Sequence, residues 1–445
     1  MHISVLGTGY VGLVTGACFA EFGLNVTCMD VDAARVQQLE HGDVPFYEPG
    51  LAALVTKGLQ SGRLTFTTDL NQAVDTALVI FIAVGTPSNL DGSADLSYVD
   101  EVARSIGSRM RGYKVVATKS TVPVGTSTRV RDIIRAHQSK PINFDVASNP
   151  EFLREGSAIE DFMRPDRVVI GMESEQAAAI LKDLYRPLYL IETPFVVTNL
   201  QTAEMIKYAS NVFLATKISF INEVANLCEL VDANVQTVAK AMGLDKRIGS
   251  KFLHAGPGFG GSCFGKDTAA LVHIGETAGY TMKLAAATKR VNEQQRARMV
   301  DKIRDAVNGV QGKTLALLGL TFKPNTDDLR DSPALMIAEH LMKEGCAIRA
   351  YDPEGLAGAL NALPGLIGCQ DAYDAMTGAD AVVLATEWNQ FRNLDLEHVK
   401  SLLRVPVFID LRNVYEPERI AACGFYYVSV GRPATGVNPY KEPLI

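Results

Sequence analysis

Apolar residues recur along this chain in two rhythms, and the switch between them predicts its organisation. Short apolar runs that read as buried strands occur at His2-Ile3-Ser4-Val5-Leu6, Asn25-Val26-Thr27-Cys28-Met29-Asp30, Ala77 to Val84, Lys114 to Thr118 and Val168-Val169-Ile170. Between them apolar positions return at helical spacing, as in Leu13, Val14, Ala17, Cys18 and Phe19. Such alternation over residues 1 to about 195 predicts a parallel, doubly wound α/β sheet. In such a sheet, ligands bind outside the carboxyl ends of the strands. The loops Gly85-Thr86-Pro87-Ser88 and Lys119 to Gly125 are therefore expected to line a cleft.

From about 199 to 240 the strand rhythm stops. Met205, Ile206, Ala209, Phe213, Leu214, Ile218, Ile221, Val224, Ala225 and Leu227 recur at helical spacing, which predicts one long helix that joins domains and offers a dimer interface. A second α/β unit starts near Gly312, with strands at Lys313 to Leu320, Ala347 to Pro353 and Asp380 to Thr386. The expected fold is thus α/β: two Rossmann-like doubly wound domains, residues 1–198 and 301–445, joined by a central helical region at 199–300. Pro433, Pro439 and Pro443 suggest an irregular tail from Gly431 to Ile445.

Composition narrows the function classes. The chain has 445 residues, 47% hydrophobic and 21% charged, as in ordinary globular proteins. A net charge of −7 with no basic tract argues against nucleic acid as a partner. No apolar run reaches a membrane span, and no secretory signal is visible. Seven cysteines, scattered and without CxxC pairs, fit reduced thiols in a cytoplasm better than disulfides or a metal site.

Two glycine-rich segments carry candidate chemistry. Gly7-Thr8-Gly9-Tyr10-Val11-Gly12 lies between the first strand and the first helix. In that context Gly7 permits a tight turn, Gly9 lets backbone approach a pyrophosphate, and Gly12 lets the helix pack on the strand. Asp30 ends the second strand 18 positions after Gly12, where a carboxylate accepts from ribose hydroxyls and repels a 2′-phosphate. NAD is therefore expected over NADP, although the nearby Arg35 blunts the preference. The second segment is Gly256-Pro257-Gly258-Phe259-Gly260-Gly261-Ser262-Cys263-Phe264-Gly265-Lys266-Asp267. A helix starting near Ser262 places Cys263 in its first turn, where the dipole favours thiolate, with Asp267 one turn on. A buried structural cysteine is the more common role for such a residue, so the segment gains meaning from the rest of the chain.

Taken in order, GTGYVG at 7–12, VGTP at 84–87, KSTVPVG at 119–125, SNPEFLREG at 148–156, Lys207 with Asn211, GFGGSCFGKD at 258–267 and GLTFKPNTDDLRDSP at 319–333 resemble the nucleotide-sugar dehydrogenases over nearly the whole length. The resemblance implies NAD-dependent four-electron oxidation of a sugar primary alcohol to a carboxylate. Phe264-Gly265 after the cysteine is similar to the branch that takes UDP-glucose to UDP-glucuronate, whereas members acting on GDP-mannose tend to carry Leu-Pro there. Cys263 is then expected to hold the sugar as a thiohemiacetal and a thioester. Lys207 and Asn211, one helical turn apart, are expected to stabilise the oxyanion. Asp267, Thr121 and Glu151 are expected to order or deprotonate the hydrolytic water, with Glu151 the favoured base.

The same resemblance extends the cofactor set, from Gly7, Gly9, Tyr10, Val11, Gly12, Asp30 and Arg35, to Gly85, Thr86, Thr121, Glu155, Lys266 and Arg330. It assigns Glu151, Phe152, Leu153, Arg154, Lys207, Asn211, Arg247, Ser250, Phe252, His254, Gly260, Phe322, Lys323 and Arg412 to the nucleotide-sugar. Arg412 matches a position that reaches a partner subunit's sugar, and the chain is expected to form a homodimer. His254 is a departure, because some family members have lysine there. Four other readings compete: a GDP-mannose enzyme, a UDP-N-acetyl-sugar enzyme, a two-electron hydroxyacid dehydrogenase, which would not need the cysteine, and a nucleotide-sugar binding protein without turnover. The intact Cys263, Lys207, Asn211 and Asp267 argue against the last.

Overall fold

The computed structural model describes residues 1–440. The chain divides into two compact units, Met1–Ser210 with Ala270–Tyr280, and Asn211–Ala269 with Thr281–Ile445. The first holds an eight-stranded sheet: β1 (His2–Leu6), β2 (Asn25–Met29), β3 (Leu64–Thr67), β4 (Val79–Ile82), β5 (Lys114–Thr118), β6 (Phe144–Ser148), β7 (Val168–Met172) and β8 (Phe195–Thr198). Their spatial order is β3-β2-β1-β4-β5-β6-β7-β8. The order reverses between β1 and β4, which is the switch point where doubly wound sheets bind ligands. Strands β4, β5 and β7 are buried throughout, which explains why they read as continuous apolar runs. The expected all-parallel sheet has one exception, because β6 and β7 pair antiparallel. Two apolar clusters, one around Phe19, Phe81 and Phe162 and one around Ile80, Ile106 and Ile134, cover the two faces.

The second unit holds a wholly parallel six-stranded sheet: β9 (Thr314–Leu318), β10 (Ala347–Tyr351), β11 (Ile367–Gly368), β12 (Ala381–Leu384), β13 (Val407–Asp410) and β14 (Tyr426–Ser429), ordered β11-β10-β9-β12-β13-β14. Asp352 ends β10 as Asp30 ends β2, but its carboxylate is saturated by the protein. It accepts from the backbone N–H groups of Leu320, Thr321, Glu354 and Gly355, from the Thr321 hydroxyl and from the Trp388 indole. A Cβ on Gly319 would lie 2.4 Å from Thr386 Cβ. This half thus keeps the strand-and-acid plan, with the acid bonded to the protein itself.

The expected long helix is two helices, Leu200–Leu230 and Val235–Leu244. Asp232 takes a left-handed conformation with φ 54° between them. Asn234 then caps the second helix through the N–H groups of Gln236 and Thr237. The apolar positions that predicted the helix end at Leu227, before this break. Of the predicted irregular tail, 441–445 lie outside the described residues; the remainder includes Arg432, buried against Tyr427 and Asn413. Among the described residues no helix is long and apolar enough to cross a membrane.

Candidate functional site

The glycine turn after β1 has the form a dinucleotide requires. Gly7 sits at φ 102°, and a Cβ there would lie 2.7 Å from the Ala83 carbonyl oxygen. A Cβ on Gly12 would come within 1.9 Å of the Gly7 carbonyl oxygen, so only glycine lets the helix Tyr10–Glu21 seat on β1. Gly9 differs from both. Its φ is −67°, and a Cβ there would meet nothing within 4 Å. The fold itself does not demand glycine at position 9; it leaves clearance in front of the helix N-terminus, where an anion binds. Gly85, after β4, has the same clearance, and Thr86 beside it donates to the Thr121 carbonyl at 2.9 Å.

Asp30 lies at the carboxyl end of β2. Its Oδ2 accepts from the Thr8 N–H and hydroxyl, each at 2.7 Å, and Oδ1 accepts from Asp32 N–H at 3.1 Å. Burial pushes this carboxyl up, but those bonds and the Arg35 guanidinium outweigh it and hold it below its ordinary value. Oδ1 keeps acceptor capacity for a ribose hydroxyl. Arg35 lies 3.7 Å from Asp30 Oδ2, so its charge is partly committed to the acid. The cradle fits a dinucleotide without a 2′-phosphate.

A second group lies past the ends of β5 and β6. Glu151 and Lys207 form a buried ion pair at 2.8 Å, with side chains 6% and 4% exposed. Burial alone would raise the Glu151 carboxyl; the Lys207 ammonium, the Leu153 N–H and Lys119 bring it below its ordinary value. Glu151 Oε2 accepts from Leu153 N–H at 2.5 Å. The Phe152 ring is near two cations, with Lys207 Nζ 5.3 Å and the Arg167 guanidinium 3.5 Å from its centroid. Arg154 turns to Asp161, at 2.5 Å. Glu155 is half-buried beside it.

The cysteine segment belongs to the other unit. The helix runs Phe264–Thr277, starting two residues later than expected, and Asp267 N–H donates to the Cys263 carbonyl at 2.8 Å. Cys263 therefore sits at the helix N-terminus and is half-buried, with Ser262 Oγ 3.5 Å from its Sγ. Asp267 is buried; it accepts from Asn211 Nδ2 at 2.7 Å on one oxygen and from Lys266 Nζ at 2.7 Å on the other. The preceding glycines are fixed by close packing. A Cβ on Gly260 would lie 2.3 Å from the Asp331 carbonyl oxygen, and one on Gly261 would lie 2.7 Å from the Phe322 ring. Phe252 takes φ 65° and packs its ring 6.1 Å from that of Phe264. Arg412 donates to the carbonyls of Phe322 at 3.0 Å and Ala385 at 2.8 Å, and pairs with Glu387. Lys323 Nζ lies 5.2 Å from the Phe322 ring centroid. Arg330 binds Asp328, and Arg247 binds Asp245 at the surface. Ser250 and His254 are exposed.

Lys119, in a loop expected to line the cleft, has a role that the sequence left open, and Glu204, Asn292, Gln295 and Arg296 escaped the sequence reading. Lys119 is buried, with Nζ 3.2 Å from Asn149 Oδ1 and 3.5 Å from the Tyr185 hydroxyl. Burial first, and then the Lys207 charge, lower it to about 8 against the pull of Glu151. Glu204, on the same helix as Lys207, is buried and takes the N–H groups of Gly125 and Ser127 and the Ser127 hydroxyl. Asn292, Gln295 and Arg296 line one buried helix face and grip the backbone of Gly256 and Phe259. Polar residues at i, i+3 and i+4 on an otherwise apolar face were the signal for these three.

Comparison with known proteins connects these parts. Residues 1–189 match the NAD binding domain of the UDP-glucose/GDP-mannose dehydrogenase family, 201–294 its central domain and 316–417 its UDP binding domain. A UDP-glucose 6-dehydrogenase of Rhizobium meliloti (strain 1021) is 52% identical over 437 residues, covering 97% of this chain and all of the relative. One from Bacillus subtilis (strain 168) is 50% identical, covering 98% of this chain and 95% of the relative. The solved UDP-glucose dehydrogenase of the hyperthermophilic archaeon Pyrobaculum islandicum superposes with a TM-score of 0.88 at 42% identity, covering 93% and 94% of the two chains. The clearance at Gly9, the acid at Asp30 and the matched NAD binding domain agree on NAD as the cofactor. With a dinucleotide cradle in the first unit and all three domains of the family matched in order, the chain belongs to the UDP-glucose/GDP-mannose dehydrogenase family.

Proposed function

We propose that the chain oxidises UDP-glucose to UDP-glucuronate, with Cys263 as the nucleophile that retains the sugar. The observation that carries this reading is Cys263 at a helix N-terminus, with Asp267 one turn on and hydrogen-bonded to both Asn211 and Lys266. Bound NAD supplies the hydride acceptor, so that one alcohol, one water and two NAD⁺ give one carboxylate, two NADH and three protons. Lys207 and Asn211 are four residues apart in one helix, which supports assigning both to one substrate carbon. There an ammonium and an amide stabilise the alkoxide that precedes the aldehyde and the oxyanion formed when thiolate adds. The Cys263 thiolate attacks the aldehyde carbon to form a C–S bond. Loss of the second hydride leaves a thioester. Water then adds at the same carbon, the C–S bond breaks, and thiol and carboxylate separate. Glu151, held ionised beside Lys207, is the base for that water, with Thr121 and Asp267 ordering it.

The sites are assigned accordingly. Gly7 to Gly12, Asp30, Arg35, Gly85, Thr86, Glu155, Lys266 and Arg330 serve the cofactor. Phe152 to Arg154, Arg247, Ser250, Phe252, His254, Gly260, Phe322, Lys323 and Arg412 serve the nucleotide-sugar. Functionally the chain reads as 1–198 for cofactor, 199–300 for the nucleophile and assembly, and 301–445 for the nucleotide. Phe213, Phe220 and Leu227 are exposed at seven-residue spacing on one helix, which supports a homodimer built on that face. The dispersed thiols support a cytoplasmic location. The test is NADH formation with UDP-glucose, GDP-mannose and UDP-N-acetylglucosamine in parallel. Two NADH per UDP-glucose are expected, and silence with UDP-glucose would sink the assignment.

A further inference from the structure

Glu48 has no place in the chemistry above, yet it is one of the few buried carboxylates of the first unit. It lies in the loop before the helix Leu51–Gln60. Its Oε1 accepts from Ala158 N–H at 2.8 Å, and its Oε2 accepts from Gly156 N–H at 2.5 Å and from the Tyr10 hydroxyl. The Gly156 N–H also reaches the Tyr10 hydroxyl, at 3.0 Å. None of these donors is a cation. The carboxylate binds backbone of the segment that follows Glu151, and a side chain from the first turn of the dinucleotide helix. Tyr10 is the first residue of that helix, directly after Gly9, and its ring packs 5.0 Å from Phe46 of the loop that carries Glu48. Upstream, the same segment is held by the Glu151 carboxylate on Leu153 N–H and by Asp161 on Arg154 N–H.

We propose that Glu48 is a positioning residue for the oxidation: with Tyr10 it locks the 151–158 segment to the first turn of the dinucleotide helix, so that base and cofactor seat keep one register. This rests on the reading that Glu151 to Arg154 face the sugar. Tyr10 then acts through its hydroxyl on the protein, whatever its ring and backbone contribute to the cofactor. The physical need is plain. Misplacing a reacting group by about 1 Å costs on the order of 10²-fold in rate. Gly156 N–H thus reaches both members of the pair, the Glu48 carboxylate at 2.5 Å and the Tyr10 hydroxyl at 3.0 Å.

The test uses the full-length chain with NAD. Glu48→Ala removes the lock, Glu48→Gln keeps one acceptor, and Tyr10→Phe removes only the hydroxyl and leaves the ring on Phe46. Amide hydrogen exchange over 152–158 is measured beside steady-state kinetics with whichever nucleotide-sugar the wild type oxidises, and beside NAD affinity. The expected result is exchange at least about tenfold faster in that segment and kcat/KM for the sugar down about 10²-fold in Glu48→Ala. Glu48→Gln and Tyr10→Phe should fall between, and NAD affinity of the two Glu48 variants should stay within a few-fold of wild type. Unchanged exchange or unchanged sugar kinetics in folded Glu48→Ala and Tyr10→Phe overturns the proposal. So does a loss of NAD affinity in the Glu48 variants that matches their loss of turnover, which marks a merely structural role. A wild type that ignores UDP-glucose but oxidises another nucleotide-sugar refutes the substrate reading and leaves this test intact.

Discussion

Replacing Lys207 with methionine isolates the energetics of the buried pair. Glu151 and Lys207 meet at 2.8 Å with almost no exposure, so the variant leaves a carboxylate buried without its main counter-charge. Breaking such a pair costs about 3–5 kcal/mol. The lower end applies, because Glu151 keeps the Leu153 N–H and remains under the influence of Lys119. For a unit of this size about 3 kcal/mol corresponds to roughly 6–12 °C in Tm. The pH dependence follows from signs. In the wild type Glu151 titrates below its ordinary value, so its contribution is present above the unfolded carboxyl pKa and fades as pH falls through the folded one. In Lys207→Met burial remains and the attraction is gone, so the folded carboxyl titrates above its ordinary value. That variant loses stability as pH rises. The deficit should thus be largest near pH 8 and shrink toward pH 5. Glu151→Gln with Lys207→Met removes both charges and should recover most of the loss, giving a coupling energy of at least about 2 kcal/mol. Thermal melts of the four proteins of this cycle at both pH values read it out. Equal deficits at pH 5 and pH 8, or a double variant no better than Lys207→Met, would refute the reasoning.

Two further outcomes separate the cofactor and oxyanion parts. Gly9→Ala should fold with wild-type stability yet bind NAD at least about tenfold more weakly, whereas Gly12→Ala, whose Cβ would strike the Gly7 carbonyl, should lose stability as well; calorimetry and NAD titration distinguish them. Asn211→Asp sets a second carboxylate against Asp267, where an amide now donates at 2.7 Å, and should lower kcat by about 10²–10³-fold with most recovery at low pH, read from a kcat–pH profile.

The parts that the chain order reveals are those written in local periodicity. Strands β1, β4 and β5 are buried along their length, so they read as apolar runs, and the turn at Gly7 to Gly12 follows from its position between strand and helix. Less visible are β3 and β8, short strands with exposed positions. The break at Asp232 is set by one residue's conformation and lies past the apolar positions that predicted the helix. Cys263, Lys207, Asn211 and Asp267 stood out through their motifs; the bond from Asn211 to Asp267 joins two helices and no spacing within either announces it. Glu48 and Glu204 did not, because their partners are backbone groups or neutral side chains far away in sequence. A buried acid that binds N–H groups leaves no complementary charge to search for. The lack of a GxGxxG turn in the second unit was legible in its missing glycines; the bonds that Asp352 takes from backbone and from Trp388 were not.

The central claim is that Cys263 holds the sugar carbon between two hydride transfers. The direct measurement is intact-protein mass spectrometry of rapidly quenched reactions with UDP-glucose and NAD, comparing the wild type with Cys263→Ser and following UDP-glucuronate release. The account predicts a sugar-nucleotide adduct on the Cys263 peptide of the wild type during turnover, and UDP-glucuronate release slowed by at least about 10³-fold in the variant. Release of UDP-glucuronate by Cys263→Ser at the wild-type rate would contradict it.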